Sequence, residues 1–217
     1  MEKKSLQMET EAHENMAKDS CFLLNMDCAT QKKRLLLHSC CGPCSTSCIE
    51  KLVHDHKITI FFYNPNITDS DEYQRRKKAQ IKFINEYNER ISDEEKIELI
   101  EGEYLPEVFF QACEKYKDEP EGGRRCTNCF KLRMERTAQV ALKTGNQVFG
   151  TTLTVSPHKN YLLISAIGTE LASMYNIEFL DMDFKKKAGF QRSIEMSKEY
   201  GLYRQNYCGC IYSIRKK

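Results

Sequence analysis

Arg34-Leu35-Leu36-Leu37-His38-Ser39-Cys40-Cys41-Gly42-Pro43-Cys44 is the stretch on which the fold turns. Leu35 to His38 is a short apolar run of the kind a buried strand makes. Gly42-Pro43 breaks it, and Cys44 to Val53 then has the pattern of a helix opened by that turn. Moving outward, Ile58 to Tyr63 predicts a second strand, stopped by Asn64-Pro65-Asn66. Asp69 or Ser70 is placed to cap a long charged helix reaching Glu89. Ile97 to Ile100 predicts a third strand, Pro106 to Tyr116 a helix, and Asp118 to Arg125 a polar loop. Cys129 to Lys143 predicts a helix ended near Gly145, an expected C′ residue. Val148 to Thr152 is a fourth strand, Lys159 to Tyr175 an apolar helix, and Ile177 to Leu180 a fifth strand. Ser193 to Tyr200 is helical, and a loop follows that ends in Cys208-Gly209-Cys210.

Strands that alternate with helices argue for an α/β fold, a doubly wound, mostly parallel sheet with helices on both faces. In such a fold the site lies beyond the carboxyl ends of the strands, where Cys40 and Cys41 fall. We expect residues 1–32 to be a flexible N-terminal extension and 33–217 a single α/β domain. Six acids and three lysines in residues 1–30 give that segment −3, which leaves +5 on the rest of a chain whose total is +2. That balance neither demands nor excludes nucleic acid, although a mildly basic body can present a basic face to RNA. No run approaches the roughly 18 apolar residues that span a bilayer. The N-terminus resembles neither a secretory signal nor an anchor, so a cytoplasmic protein is expected.

Eleven cysteines are an odd, high count, and seven lie in three tight groups: Cys40, Cys41 and Cys44; Cys126 and Cys129; Cys208 and Cys210. In a reducing compartment such groups indicate metal or redox chemistry. Cys40 and Cys41 follow a strand end in a turn, where adjacent thiolates can converge on one object. Cys126 and Cys129 begin a helix, whose positive end should favour thiolate. An iron–sulfur cubane takes four thiolates, which Cys40, Cys41, Cys126 and Cys129 can supply. On spacing alone a zinc site of Cys41, Cys44, Cys126 and Cys129 competes evenly. Cys41-Gly42-Pro43-Cys44 also has the form of a thioredoxin-like dithiol, although that chemistry needs no further Cys-x-x-Cys. The third rival, seven buried small hydrophobes, fits the clustering poorly. Cys48 and Cys113 read as core. A Cys208–Cys210 disulfide would close a small strained ring, which suits a redox pair better than a brace; idle thiols or a metal pair are the alternative.

Further candidates are weaker. Arg75-Arg76-Lys77-Lys78, Lys185-Lys186-Lys187 and Arg124-Arg125 can meet phosphates, but a solvated face is the commoner outcome. Tyr200, Tyr203, Tyr207 and Tyr212, interleaved with Arg204, can stack on a base or simply pack. Thr151 to Lys159 joins a strand to a helix and suits an anion; Ser156 doubles as a candidate N-cap and His158 as a proton donor. Asp181 and Asp183 end the fifth strand; Asp183 is the preferred carboxylate for proton handling.

Leu36 to Cys44 is similar to the opening motif of the QueH-type epoxyqueuosine reductases. Phe62 to Ile67, Cys126 to Phe130, Thr151 to Asn160 and Tyr203 to Cys210 also resemble that family, in its order, over about residues 33 to 213. The resemblance implies a Rossmann-like fold of the HUP type. It implies a [4Fe–4S] cluster on Cys40, Cys41, Cys126 and Cys129, an additional mononuclear iron with Cys44 as a candidate ligand, and a redox-active Cys208–Cys210 pair. It implies reduction of epoxyqueuosine to queuosine at the tRNA wobble position, fed by an electron donor the sequence does not identify. Arg124, Arg125, Ser156, His158 and Lys159 are the substrate-binding candidates, and Asp183 joins Cys208 and Cys210 as catalytic. Nothing in the resemblance covers residues 1–32.

Overall fold

The structure, a computed structural model, describes residues 32–214. The expected extension therefore lies, apart from Lys32, outside the described residues. Five strands make one all-parallel sheet in the order β3-β2-β1-β4-β5. They are β1 (Lys33–Ser39), β2 (His56–Phe62), β3 (Glu98–Glu101), β4 (Val148–Thr151) and β5 (Glu178–Phe179). The helices between them are α1 (Gly42–Leu52), α2 (Ser70–Asn88), α3 (Pro106–Cys113), α4 (Arg124–Lys143) and α5 (Tyr161–Tyr175). A sixth, α6 (Gly189–Glu199), follows β5. This is the parallel sheet, helix-covered on both faces, that the alternating pattern predicted, and the Rossmann-like architecture that the resemblance implied.

Both faces of the sheet are buried, and the strand period of two sorts the side chains. Leu35, Leu37, Ile58 and Ile60 face one layer with Ile49 and Leu52 of α1, Phe83 of α2 and Met196 of α6. Leu36, Phe61 and Phe149 face the other, with Phe130, Met134 and Ala138 of α4 and Ile164, Ile167 and Leu171 of α5. The three leucines of β1 are fully buried, as befits the central strand. β1 has β2 on one side and β4 on the other, so the chain reverses its winding there. The crevice at that switch point, beyond Ser39 and Thr151, is where such folds bind ligands.

Local chemistry explains most boundaries. Asp69 caps α2, its carboxylate accepting from the Glu72 N–H at 2.7 Å. At the end of α4, Gly145 (φ +68) and Asn146 donate to Leu142 and Ala141 in a Schellman motif, as the glycine predicted. Three expectations need correction. Helix α4 starts at Arg124, so Cys126 lies inside its first turn. The helix expected from Lys159 starts at Tyr161 and is capped by Asn160, whose side chain accepts from the Leu163 N–H; Ser156 is not its N-cap. Between β4 and that helix, Thr152–Val155 forms a 3-10 turn. Among the described residues no helix is long and apolar enough to cross a membrane.

Candidate active site

The first thiol group grows directly from β1. Ser39 ends the strand in register with Phe62, and Cys41, in extended backbone, is the N-cap of α1. Gly42 is required here because α1 starts hard against α2. A Cβ on Gly42 would sit 2.5 Å from the Ala79 carbonyl oxygen. Gln80, one residue further along α2, takes the Ser39 hydroxyl at 2.7 Å and bonds Ser45. Asn64, after β2, donates to the Ser39 carbonyl at 2.9 Å. The turn is thus fixed from three elements. It gathers the sulfurs of Cys40, Cys41 and Cys44 within 4.8 Å of one another.

Electrostatics distinguish the three. The thiols of Cys41 and Cys44 hydrogen-bond to Cys40 and hold it well below the usual thiol range, helped by Lys159 and Arg133. Burial and then the Cys40 neighbour push Cys41 up. The Cys40 bond pushes Cys44 up to about 12. A thioredoxin-like dithiol needs a low-pKa attacking sulfur in its Cys-x-x-Cys, and Cys41 and Cys44 are both shifted the wrong way.

Behind the triad stands His38, fully buried. Its Nδ1 meets Thr151 Oγ1 at 2.9 Å and its Nε2 the Tyr63 carbonyl at 3.1 Å. A carbonyl only accepts, so Nε2 carries the proton and Nδ1 accepts from Thr151. Burial holds the imidazole neutral, at a pKa of about 3.

One residue of the second group meets one of the third. Cys129 packs in a small buried cluster with Cys113, Phe109 and Cys210. Cys126 packs toward the other layer of the core and accepts from the Gly122 N–H at 3.2 Å. At Cys129 burial pushes the thiol up to about 12, against the pull of the helix start. Cys48 and Cys113 are core, as read. The nine described cysteines are free, so Cys208 and Cys210 stand as two thiols.

Buried cations connect these groups. Arg133 follows Cys129 by one helical turn and is completely buried, its Nε donating to the Cys129 carbonyl at 3.3 Å. Its Nη2 has no hydrogen-bond partner among the described residues. Burial opposes the charge, and negative charge on the sulfurs of Cys129, Cys208, Cys40 and Cys210 favours it. Half-buried Lys159 is treated alike: Cys208 and Cys40 outweigh the effect of burial. An orphaned guanidinium nitrogen amid thiols calls for anionic charge. A thiolate-ligated metal centre supplies that charge, so the donor set fits one. A close triad suits a single ion, whereas a four-thiolate cubane spaces its ligands more widely and draws on a second group.

Beside the triad opens a cavity of about 510 Å³, in the range of small-ligand sites. Cys40, Cys44, Cys208, Ser156, His158 and Lys159 line it, together with Arg204, Gln205 and Tyr207. Three predicted binding residues are therefore brought to it. Asp183 is not among the lining residues; it pairs with Lys185 at 3.4 Å, and Lys185 also donates to the Lys159 carbonyl. Arg125 turns inward, donating to the carbonyls of Lys117 (2.8 Å) and Glu119 and stacking over Tyr212. Arg124 is exposed, ion-paired to Glu119 and over the Tyr116 ring.

Arg76, read as part of a solvated run, is in fact fully buried. Glu72 binds its Nε at 2.7 Å, and its Nη1 and Nη2 donate to the carbonyls of Cys208 and Tyr207, both at 3.1 Å. Thr68 completes the clamp by taking the Ile211 N–H and donating its own N–H to Gly209. Gln205 was missed too; its amide donates to Cys41 Sγ at 3.0 Å. Two of these were legible as spacing: Arg76 lies four residues after Glu72, and Arg133 four after Cys129.

Fold and site together define a class: a doubly wound α/β protein that collects thiols and buried cations at the carboxyl edge of its sheet. Residues 35–216 match the family described as Epoxyqueuosine reductase QueH. A protein of that name from Staphylococcus epidermidis is 43% identical over 189 residues, 86% of this chain and 79% of that one. One from Thermotoga maritima is 37% identical over 84% of this chain and 91% of its own, and one from Streptococcus pyogenes 40% identical over 83% and 70%. The chain belongs to the epoxyqueuosine reductase QueH family, and is an oxidoreductase.

Proposed function

We propose that this chain reduces epoxyqueuosine to queuosine at the wobble position of tRNA, using a [4Fe–4S] cluster on Cys40, Cys41, Cys126 and Cys129 with a further iron at Cys44. The observation that most supports a metal centre is the close thiol triad, with Cys40 and Cys41 buried, together with the orphaned, fully buried guanidinium nitrogen of Arg133, whose charge acts on Cys40. Bound there, the metals would supply single electrons and a Lewis acid for the epoxide oxygen.

The chain's own residues account for the rest. Converting the epoxide to an alkene releases one oxygen as water and takes two electrons and two protons. Two thiols becoming one disulfide deliver that sum, and Cys208 already lines the cavity with Cys210 two residues on. An external donor, of unassigned identity, then reopens the disulfide. Lys159 places a cation at the cavity wall, where negative charge on the departing oxygen would be stabilised. His158, exposed and lining the same cavity, is the better-placed proton donor; Asp183 acts through Lys185. Ser156, Arg124 and Arg204 are left to hold the nucleoside and its phosphates, and Arg125 to hold the loop that precedes α4. Cysteines grouped for metal and redox chemistry suit a reducing compartment, hence the cytoplasm.

Anaerobic purification with iron and sulfide quantitation, then EPR on the reduced sample, tests the cofactor. A colourless, zinc-loaded protein would sink it. Epoxyqueuosine-containing tRNA, scored by mass for loss of one oxygen, tests the reaction. Cys208→Ser should keep the visible absorbance and lose most turnover; full activity would remove the relay.

A further inference from the structure

We propose that Gln205 couples the thiol triad to the ligand in the cavity: its amide N–H donates to the Cys41 sulfur, and its carbonyl oxygen receives a donor from the bound nucleoside. This rests on the reading just given and assigns a positioning residue within it. Gln205 Nε2 lies 3.0 Å from Cys41 Sγ and 4.0 Å from Cys44 Sγ. The same side chain lines the cavity beside Cys40, Cys44 and Cys208. Its Oε1 is buried and has no hydrogen-bond partner among the described residues. An orphaned buried carbonyl costs about 1–3 kcal/mol, and a ligand N–H or hydroxyl in the cavity would relieve it. The amide has only one useful orientation. A metal-bound sulfur carries no proton, so it can only accept, and the N–H end must face it.

The backbone on either side of Gln205 is held in place. Two residues before it, Tyr203 donates to Glu72 at 2.7 Å. Two and three residues after it, Arg76 grips the carbonyls of Tyr207 and Cys208. The carboxamide therefore reaches the sulfur from a braced segment. Hydrogen bonds to ligand sulfurs are one of the means by which a protein sets a cluster's potential. Filling the cavity and tuning the metal centre thus act on one side chain. The class of ligand is a hydroxyl- or N–H-bearing nucleoside.

Gln205→Leu keeps the volume and removes both bonds; Gln205→Glu keeps an acceptor and loses the donor. In the iron-loaded protein, Gln205→Leu should shift the midpoint potential, followed by EPR-monitored titration, to more negative values at unchanged iron content. KM for the tRNA substrate should rise roughly five- to thirty-fold, the loss of one buried hydrogen bond. Gln205→Glu should shift the potential in the same direction while KM stays closer to wild type. A Leu variant with wild-type iron, potential and KM overturns the proposal. If that variant cannot hold iron, iron-free wild type and iron-free Gln205→Leu are compared for tRNA affinity, and equal affinities overturn it as well. Absence of turnover by the wild-type enzyme would sink the proposed reaction instead, while the potential shift would still report the Cys41 contact.

Discussion

Two turns in this molecule present cysteines around a glycine, and they are built in opposite ways. Residues 40–44 are carved from the core. Their glycine is wedged against the backbone of α2, and their neighbours His38, Ser39 and Ser45 are fully buried and bonded to β4, α2 and the end of β2. Residues 208–210 lie past the last helix, outside any regular element. Gly209 takes φ +118, and the turn is tied down by the Arg76 and Thr68 side chains and the Thr68 N–H. A metal site needs ligands that do not move. A thiol pair that opens and closes a ring needs backbone that can adjust, and side-chain hydrogen bonds permit that where packed helices do not.

The largest expected effect comes from emptying the rigid turn. Cys40→Ser should remove nearly all iron and all turnover, measured by metal analysis, while Cys210→Ser should keep iron close to wild type. Equal iron loss in both would erase the distinction. Next is the anchor of the second turn. Arg76→Met removes one of the three partners of Glu72, leaving Arg75 and Tyr203, and both donors to the Tyr207 and Cys208 carbonyls; it should destabilise by about 1–3 kcal/mol in urea unfolding. A variant as stable as wild type would show that the clamp is idle. Gly42→Ala follows, at about 1–3 kcal/mol from overpacking against Ala79, and it should lower iron content. Gly209→Ala should instead slow turnover at normal iron.

A smaller effect is acid sensitivity. The folded pKa of His38 is depressed from 6.5 to about 3, so the unfolded chain binds the extra proton in that window. The contribution is complete above pH 6.5 and is lost as pH falls toward 3, by up to about 1.4 kcal/mol per pH unit. His38→Gln should flatten the unfolding midpoint against pH across that window; an unchanged slope would refute the assignment. Glu72 guards the other turn, its carboxyl held low because Tyr203, Arg76 and Arg75 outweigh burial. Its contribution is present above the ordinary carboxylate range and fades below it, so acid should loosen the rigid turn first. Smallest is Arg124→Ala. Its ion pair with Glu119 is exposed, and stability should change by less than about 1 kcal/mol.

The fold was legible because β1, β2 and β4 are apolar on both faces, which only a parallel sheet sandwiched between helices accommodates. Gly145, Asp69 and the Gly42-Pro43 turn announced element ends through backbone chemistry that needs no partner. The cysteine groups were equally legible as groups. Errors came where a distant partner decided. Arg76 looked like surface among four consecutive cations, and the carbonyls of Tyr207 and Cys208, over 130 residues away, drew it inside. Cys129 read as a residue of a helix start, and the fold buries it beside Cys113 and Cys210.

By itself, then, the sequence determined the alternation of strands and helices, the position of the first thiols at a strand's carboxyl end, and the family to which these motifs belong. Each follows from local pattern, because hydrophobic period, caps and turns act over a few residues. Only the tertiary structure decided that Arg133 and Arg76 go inside, and that Gln205 touches a sulfur 164 positions away. Charge compensation and burial are set by whatever the folded chain brings near, and separation along the chain does not encode that.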